Sequence, residues 1–351
     1  NGGNATIAFN GNIINPGVNM GAIQLLANAR GGEGAKYGNA SATLNGNIIQ
    51  PLRANNVVLA ASATALGADD VANHGNLNFG TKTATVNGNI VQGNIRNVSL
   101  SAEAGPSNGT ARLNGNIVQL AGSQTNTGTV ELAAAGNVIE ITNNKVTLGK
   151  QELSLSITPY NPYTATIQNN EFRGTGANTF SFTVTAAPGP YDSMVEINLA
   201  NGSFLFNGQN NVLNNFNNVI VTGDATSTLV GNNNANLLTG GLGDDLFTGG
   251  QGNDTIDGGV GADTAIYSGH YAQYTLAFSH VGDLAGTVTD TVAGRDGTDS
   301  LTRVEFLRFA DGTYDVANNL FISDNTAPVA ADDAFATDED TALTVPALTG
   351  V

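Results

Sequence analysis

Gly240-Gly241-Leu242-Gly243-Asp244-Asp245-Leu246-Phe247-Thr248 is followed without a gap by Gly249-Gly250-Gln251-Gly252-Asn253-Asp254-Thr255-Ile256-Asp257 and by Gly258-Gly259-Val260-Gly261-Ala262-Asp263-Thr264-Ala265-Ile266. Each unit has Gly at positions 1, 2 and 4, Asp at position 6 and an apolar residue at position 8. Glycine tolerates positive φ, so these positions allow a tight six-residue turn with its carbonyls facing inward. Asp245, Asp254 and Asp263 add a carboxylate to each turn, and Phe247, Ile256 and Ala265 point into a core from very short strands. Two units make one coil, so alternate turns stack. Asp245 then lies over Asp263 on one edge, with Asp254 on the other. Two bare carboxylates ~5 Å apart repel by about 1 kcal/mol in water and by more in a shielded site. A hard dication with oxygen ligands reverses that sign. Carboxylates plus the carbonyls of Gly241, Gly243, Gly250, Gly252, Gly259 and Gly261, with no His or Cys, indicate two or more Ca²⁺ ions and not zinc.

Degenerate units precede the three. Gly231-Asn232-Asn233-Asn234-Ala235-Asn236-Leu237-Leu238-Thr239 keeps the length and the apolar eighth position, and Asn236 stands where Asp is expected, with an amide oxygen that can ligate beside Asp254. Thr222 to Val230 keeps Leu229 at the apolar place. The three nonapeptides resemble the RTX family of calcium-binding repeats, and the lead-in from Val195 to Gly223 is similar to the stretch found before such blocks. The resemblance implies a calcium β-roll, type I secretion without a cleaved N-terminal signal, and folding outside the cell. Extracellular calcium modules bind at ~10⁻⁴ to 10⁻³ M, so such a chain stays unfolded in the cytosol.

The first half is repetitive in another way. Asn-Gly-Asn-Ile occurs at 10–13, 45–48, 87–90 and 114–117, with echoes starting at Asn143, Asn169 and Asn201. Short alternating runs such as Ala84-Thr85-Val86 precede the motif, and runs such as Asn97-Val98-Ser99-Leu100-Ser101 follow it. Alternation broken by Asn-Gly reads as short strands joined by tight turns, with little helix. A parallel β-solenoid with stacked Asn side chains is favoured over a β-sandwich. On this reading the Ile of the motif is a core residue, and 61–82 is an inserted loop.

After the repeats, Asp263 to Gly269 and Asp296 to Thr313 are similar to the flanking cap of RTX proteins, and a solenoid needs its open end covered. Asp296, Asp299 and Asp311 are secondary candidates for a further ion site, as are Asp244 and Asp257 inside the repeats. The last stretch, Ala327-Pro328-Val329-Ala330-Ala331-Asp332-Asp333-Ala334 with Asp338 to Val345, resembles the opening of a cadherin-like or bacterial immunoglobulin-like module. Its residues Thr341, Leu343, Val345 and Leu348 could be lent as a strand to a neighbouring copy.

The expected organisation is an Asn-rich β-repeat domain at 1–190, RTX lead-in and roll at 191–266, a cap at 267–325 and a connector or module start at 326–351. The formal net charge of −17 is uneven. Residues 1–190 hold 8 acidic and 9 basic residues, and 191–351 hold 21 and 3, summing to the chain's 29 and 12. A polyanion is a poor partner for nucleic acid. No apolar run reaches the ~20 residues of a membrane span. Zero Cys removes disulfides and thiolate chemistry, which leaves calcium as the staple. No H-E-x-x-H and no G-x-S-x-G occurs, and His74, His270 and His280 are isolated. The leading expectation is a non-enzymatic, calcium-stabilised extracellular structural protein: a segment of a longer adhesin, fibre or surface layer, meeting adjacent modules or copies of itself and possible surface glycans. The alternatives are a β-helical polysaccharide lyase or epimerase with an RTX export module, and a glycan- or ice-binding module that uses the Asn array.

Overall fold

The structure is a computed structural model that describes residues 4–324, apart from 16–18, 32–38, 52, 66–80, 107, 122–127, 186–192, 281 and 283. Strand candidates Thr341, Leu343, Val345 and Leu348, and His74, lie outside the described residues.

Each Asn-rich coil lays down three strands that stack on those of the next coil, parallel and in register. The first column holds Ala5–Asn10, Ala40–Asn45, Lys82–Asn87 and Gly109–Asn114, then 138–142 and 164–168. Beyond the turn, a second column runs from Ile13–Ile14 and Ile48–Ile49 to 171–173 and 212–214. The third column begins with Asn19–Gly31 and Arg53–Ala65. It continues through the molecule: Ile23, Val57, Val98, Val130, Leu153, Phe180, Val219, Leu238, Ile256 and Leu301 are successive register partners. Their side chains form the axis of one core. The architecture is therefore the parallel solenoid and not the sandwich, and among the described residues no α-helix occurs.

The second Asn of the motif organises the stack. Asn12, Asn47, Asn89, Asn116, Asn144, Asn170 and Asn211 lie one above another. Each Nδ2 donates to the Oδ1 of the next at 2.7–2.9 Å. Each backbone N–H donates to that same Oδ1 at 3.0–3.2 Å. The second amide hydrogen goes to a backbone carbonyl, as from Asn116 to Val86 and from Asn144 to Leu113. A fully satisfied polar stack is tolerated inside a core, and Asn47 through Asn211 are all 5% exposed or less. Coils of 35, 42, 27, 28, 26 and 41 residues fit one ladder because the surplus is spent between columns.

Four readings of the sequence are corrected. First, the Ile of Asn-Gly-Asn-Ile is not in the core. Ile13 is 72% exposed and Ile117 37%, whereas the following Ile49, Val91 and Val118 are buried. Asn fills the inward place, and alternation then turns Ile outward. Second, the echoes are shifted by one residue: Thr142 and Gln168 pair with the level of Asn114, so Asn143 and Asn169 hold the place of Gly115. That corner is left-handed, with φ +63° at Gly115, +57° at Asn143 and +59° at Asn169, and Asn tolerates it better than other side chains. Third, Asn201 is not a ladder member. It sits in the turn between Met194–Asn198 and Ser203–Phe206, and Asn211 takes its place. Fourth, Ala61 and Ala63 are buried rungs and Lys82 opens a strand, so only 66–80 of the supposed loop lie outside the described residues.

Strand pairing crosses residue 190, because 178–184 pair with 216–223. At this level three columns narrow to two around a cluster of Phe172, Phe180, Phe182, Phe204, Phe206 and Phe216. Large rings fill the change of cross-section. Beyond it the second wall is Ile197, Leu229, Phe247, Ala265 and Leu307 in register. The end is closed by antiparallel strands, Tyr274–Phe278 with Ala285–Asp290 and Thr298–Thr302, and Phe306–Phe309 with Gly312–Asp315 and Leu320–Ser323. Tyr267, Tyr271, Tyr274, Phe309 and Phe321 pack beneath them.

Asn116→Ala strips the partners from the Asn89 amide hydrogens, the Val86 carbonyl and Asn144 Oδ1. Each buried group left unpaired costs about 1–3 kcal/mol. The substitution is expected to lower unfolding stability by at least about 3 kcal/mol in a urea titration, and Ile117→Ala, on the outer face, by less than about 1 kcal/mol.

Candidate metal centre

The roll repeats every 18 residues, and its turns stack as the sequence implies. On one edge, the Ser227 N–H donates to Asp245 Oδ1 at 2.6 Å, the Asp245 N–H to Asp263 Oδ1 at 2.8 Å and the Asp263 N–H to Glu305 Oε2 at 2.8 Å. On the other, the Asn236 N–H donates to Asp254 Oδ1 at 2.8 Å and the Asp254 N–H to Asp299 Oδ1 at 2.9 Å. Asp245, Asp254, Asp263 and Asp299 are each 2% exposed or less.

These carboxylates lack the NH₂ of asparagine, and their second oxygens show the consequence. Asp245 Oδ2 accepts from the Gly241 N–H at 2.8 Å. Asp254 Oδ2 and Asp263 Oδ2 are buried with no partner. Burial pushes Asp245 above the ordinary carboxylate value of 3.8, Asp254 up to about 6 and Asp263 and Asp299 to about 7; Asp245 and Glu305 add to the effect at Asp263, and Asp254 at Asp299. Buried, unpartnered anionic oxygens in an all-oxygen setting suit a calcium ion. Among the described residues no three His, Cys, Asp or Glu side chains converge on one point, so the remaining ligands have to be backbone carbonyls.

The glycines supply that backbone. The carbonyls of Asn232 and Gly241 lie against Gly250 and Gly259, and those of Asn234 and Gly243 against Gly252 and Gly261, so close that a Cβ there would overlap them. Positive φ is confined to Gly250, Gly252, Gly259 and Gly261, at +94° to +147°. Position 1 has another reason to be glycine: a Cβ on Gly240, Gly249 or Gly258 would strike the Oδ2 of Asp245, Asp254 or Asp263 in the same turn.

Asn236 Oδ1 accepts from the Asn232 N–H at 2.8 Å, in the way Asp245 Oδ2 accepts from Gly241. Asp244 accepts from the Ala262 N–H at 2.8 Å. Asp257 is ion-paired with Arg303 at 2.6 Å. Asp296 accepts from Ser268 and from the Tyr274 hydroxyl. Asp311 accepts from the Tyr271 N–H at 2.8 Å and lies 3.5 Å from His270. Glu305 was missed in the sequence. Its signal is the spacing Glu305-x-Leu307, which matches Asp263-x-Ala265 with the longer acid.

The raised carboxyls give a pH signature. Their folded values exceed the ordinary 3.8, so their contribution to metal-free stability is complete below about pH 4 and is lost as pH rises through about 6–7. Metal-depleted protein is expected to melt at a higher temperature at pH 5 than at pH 8 by circular dichroism. With calcium the order reverses, because the ion displaces those protons. An unchanged order in both states would contradict this assignment.

Two overlapping stretches, 214–246 and 230–265, match the family model described as RTX calcium-binding nonapeptide repeat (4 copies). No curated protein matches the chain. Repeats of this kind bind calcium and are a mark of secreted proteins, and no helix among the described residues is long and apolar enough to cross a membrane. Residues 214–265 are RTX calcium-binding nonapeptide repeats.

Proposed function

We propose that this chain is a calcium-stiffened, non-enzymatic structural rod of an extracellular protein, of the adhesin, fibre or surface-layer kind. One observation carries this reading: the third column runs without a break from Ile23 in the Asn-rich coils to Leu301 beyond the calcium repeats. Ordering the repeats therefore extends an already ordered rod instead of tethering a separate body to it. The outer faces support a scaffold role. Charged groups there are consumed in ion pairs, Arg112 with Glu140 at 2.7 Å and Lys145 with Glu171 at 3.4 Å, while uncharged rows such as Gln50, Gln92 and Gln119 bond to each other.

A second reading, a glycan-binding face on the Asn-rich half, is favoured by an uncharged groove of about 480 Å³ lined by Thr81, Asn108, Thr110, Asn137, Val138, Tyr163 and Thr164. Hydroxyls, amides and one aromatic ring are the groups that recognise sugars.

Negative-stain electron microscopy and light scattering in millimolar calcium, then in chelator, test the first reading. Elongated particles or ordered assemblies that shorten or dissolve on chelation are expected. Particles of one compact shape at every calcium level would refute it, and retention on a polysaccharide panel would then support the second.

A further inference from the structure

The nonapeptides stop at Ile266, yet two later segments finish what they begin. Gly297-Thr298-Asp299-Ser300-Leu301-Thr302 has Gly, Asp and an apolar residue at the fourth, sixth and eighth positions of the repeat. It lies on 252–257 as a further half-turn. Gly297, at φ +80°, sits against the Gly252 carbonyl. The Thr298 N–H donates to Asn253 Oδ1 at 3.0 Å, and Thr255, Ile256 and Asp257 pair with Ser300, Leu301 and Thr302. Residues 267–296 are thus an excursion inside a repeat. On the other edge Glu305 continues the stack over Asp263, and Leu307 continues it over Ala265. The family match ends at 265, so both carboxylates lie outside it.

The unpartnered oxygens are placed accordingly. Asp245, one turn further in, has both oxygens bonded. Asp254 and Asp263 are the two carboxylates directly beneath the cap, and each keeps one buried oxygen without a partner. The Tyr267 hydroxyl, buried against Asp299, is unpartnered too. Two pairs of buried like charges, Asp254 with Asp299 and Asp263 with Glu305, need a cation to coexist ionised. The donors are all oxygens, and the pairs sit on turns whose carbonyls already face inward.

We propose that Asp299 with Asp254, and Glu305 with Asp263, complete two further calcium sites between the last nonapeptide turns and the cap, so that calcium clamps the cap to the roll. This rests on the reading of 214–265 as calcium-binding repeats. The linkage is reciprocal: the cap orders the last sites, and the ions order the cap.

Calcium uptake by equilibrium dialysis tests it, with near-UV circular dichroism of the tyrosine cluster as a measure of cap packing. Asp299→Asn and Glu305→Gln are each expected to bind one ion fewer than the parent chain, the double variant two fewer, and all to need several-fold more calcium for the tyrosine signal. Equal ion counts and equal midpoints would overturn the proposal while leaving the repeats intact. A parent chain that takes up no calcium would instead overturn the repeat reading itself. Should Asp299→Asn fail to fold, Tyr267→Phe keeps the question open to test. With Tb³⁺ as probe, its tyrosine-sensitised emission is expected to drop by about half or more relative to the parent at an unchanged ion count, and full emission would overturn the placement of an ion beside Asp299.

Discussion

One hydrogen bond recurs along this molecule: a backbone N–H at a coil corner donates to the side-chain oxygen of the residue one coil further on. Asn12 to Asn211 make it in the first part, and Ser227 to Glu305 and Asn236 to Asp299 make it in the second. The bond fixes rung height and register together, since a slip by one residue moves the side chain to the opposite face. The two parts differ in one group at that corner. Asparagine brings its own NH₂ and closes the account at every level. Aspartate brings a second oxygen instead, so its stack is incomplete until a cation is supplied. A calcium-independent rod and a calcium-dependent one are thus built on the same backbone plan.

Much of this was legible in the sequence, and the failures share a cause. The Gly-Asp units and the Asn-Gly turns announce tight corners, because few residues other than glycine and asparagine accept the backbone found at Gly46, Gly88 and Gly115. What periodicity does not say is how many residues a corner consumes before alternation restarts. That count decides whether Asn116 or Ile117 faces the core, and the expectation of a core Ile was wrong for this reason. The same ambiguity shifted the echoes at 143 and 169 by one residue. Asp245, Asp254 and Asp263 were legible as a stack because they recur at a fixed interval. Glu305 was not, because the cap excursion interrupts the interval and the acid changes length.

Position-1 glycine is a further case where the residue was foreseen for a different reason. Conformational freedom suffices for Gly250 and Gly261, but Gly240, Gly249 and Gly258 are small because a carboxylate of their own turn occupies the space of a side chain. Glycine there makes room for a ligand, and at the neighbouring positions it shapes the loop. The acidic second half and nearly neutral first half follow the same division of labour, with charge gathered where ions are to be held.

The Asn ladder also has a direction. Every side-chain N–H in it points from the lower-numbered coil to the higher, from Asn12 toward Asn211. Sheets ordinarily have little net dipole because strand dipoles alternate. Here the stacked amides add along the rod axis instead, as peptide units do in a helix. The negative pole is the Asn12 end, and the positive pole looks toward the carboxylate-bearing turns. The rod is electrically polar even where its sequence carries almost no net charge.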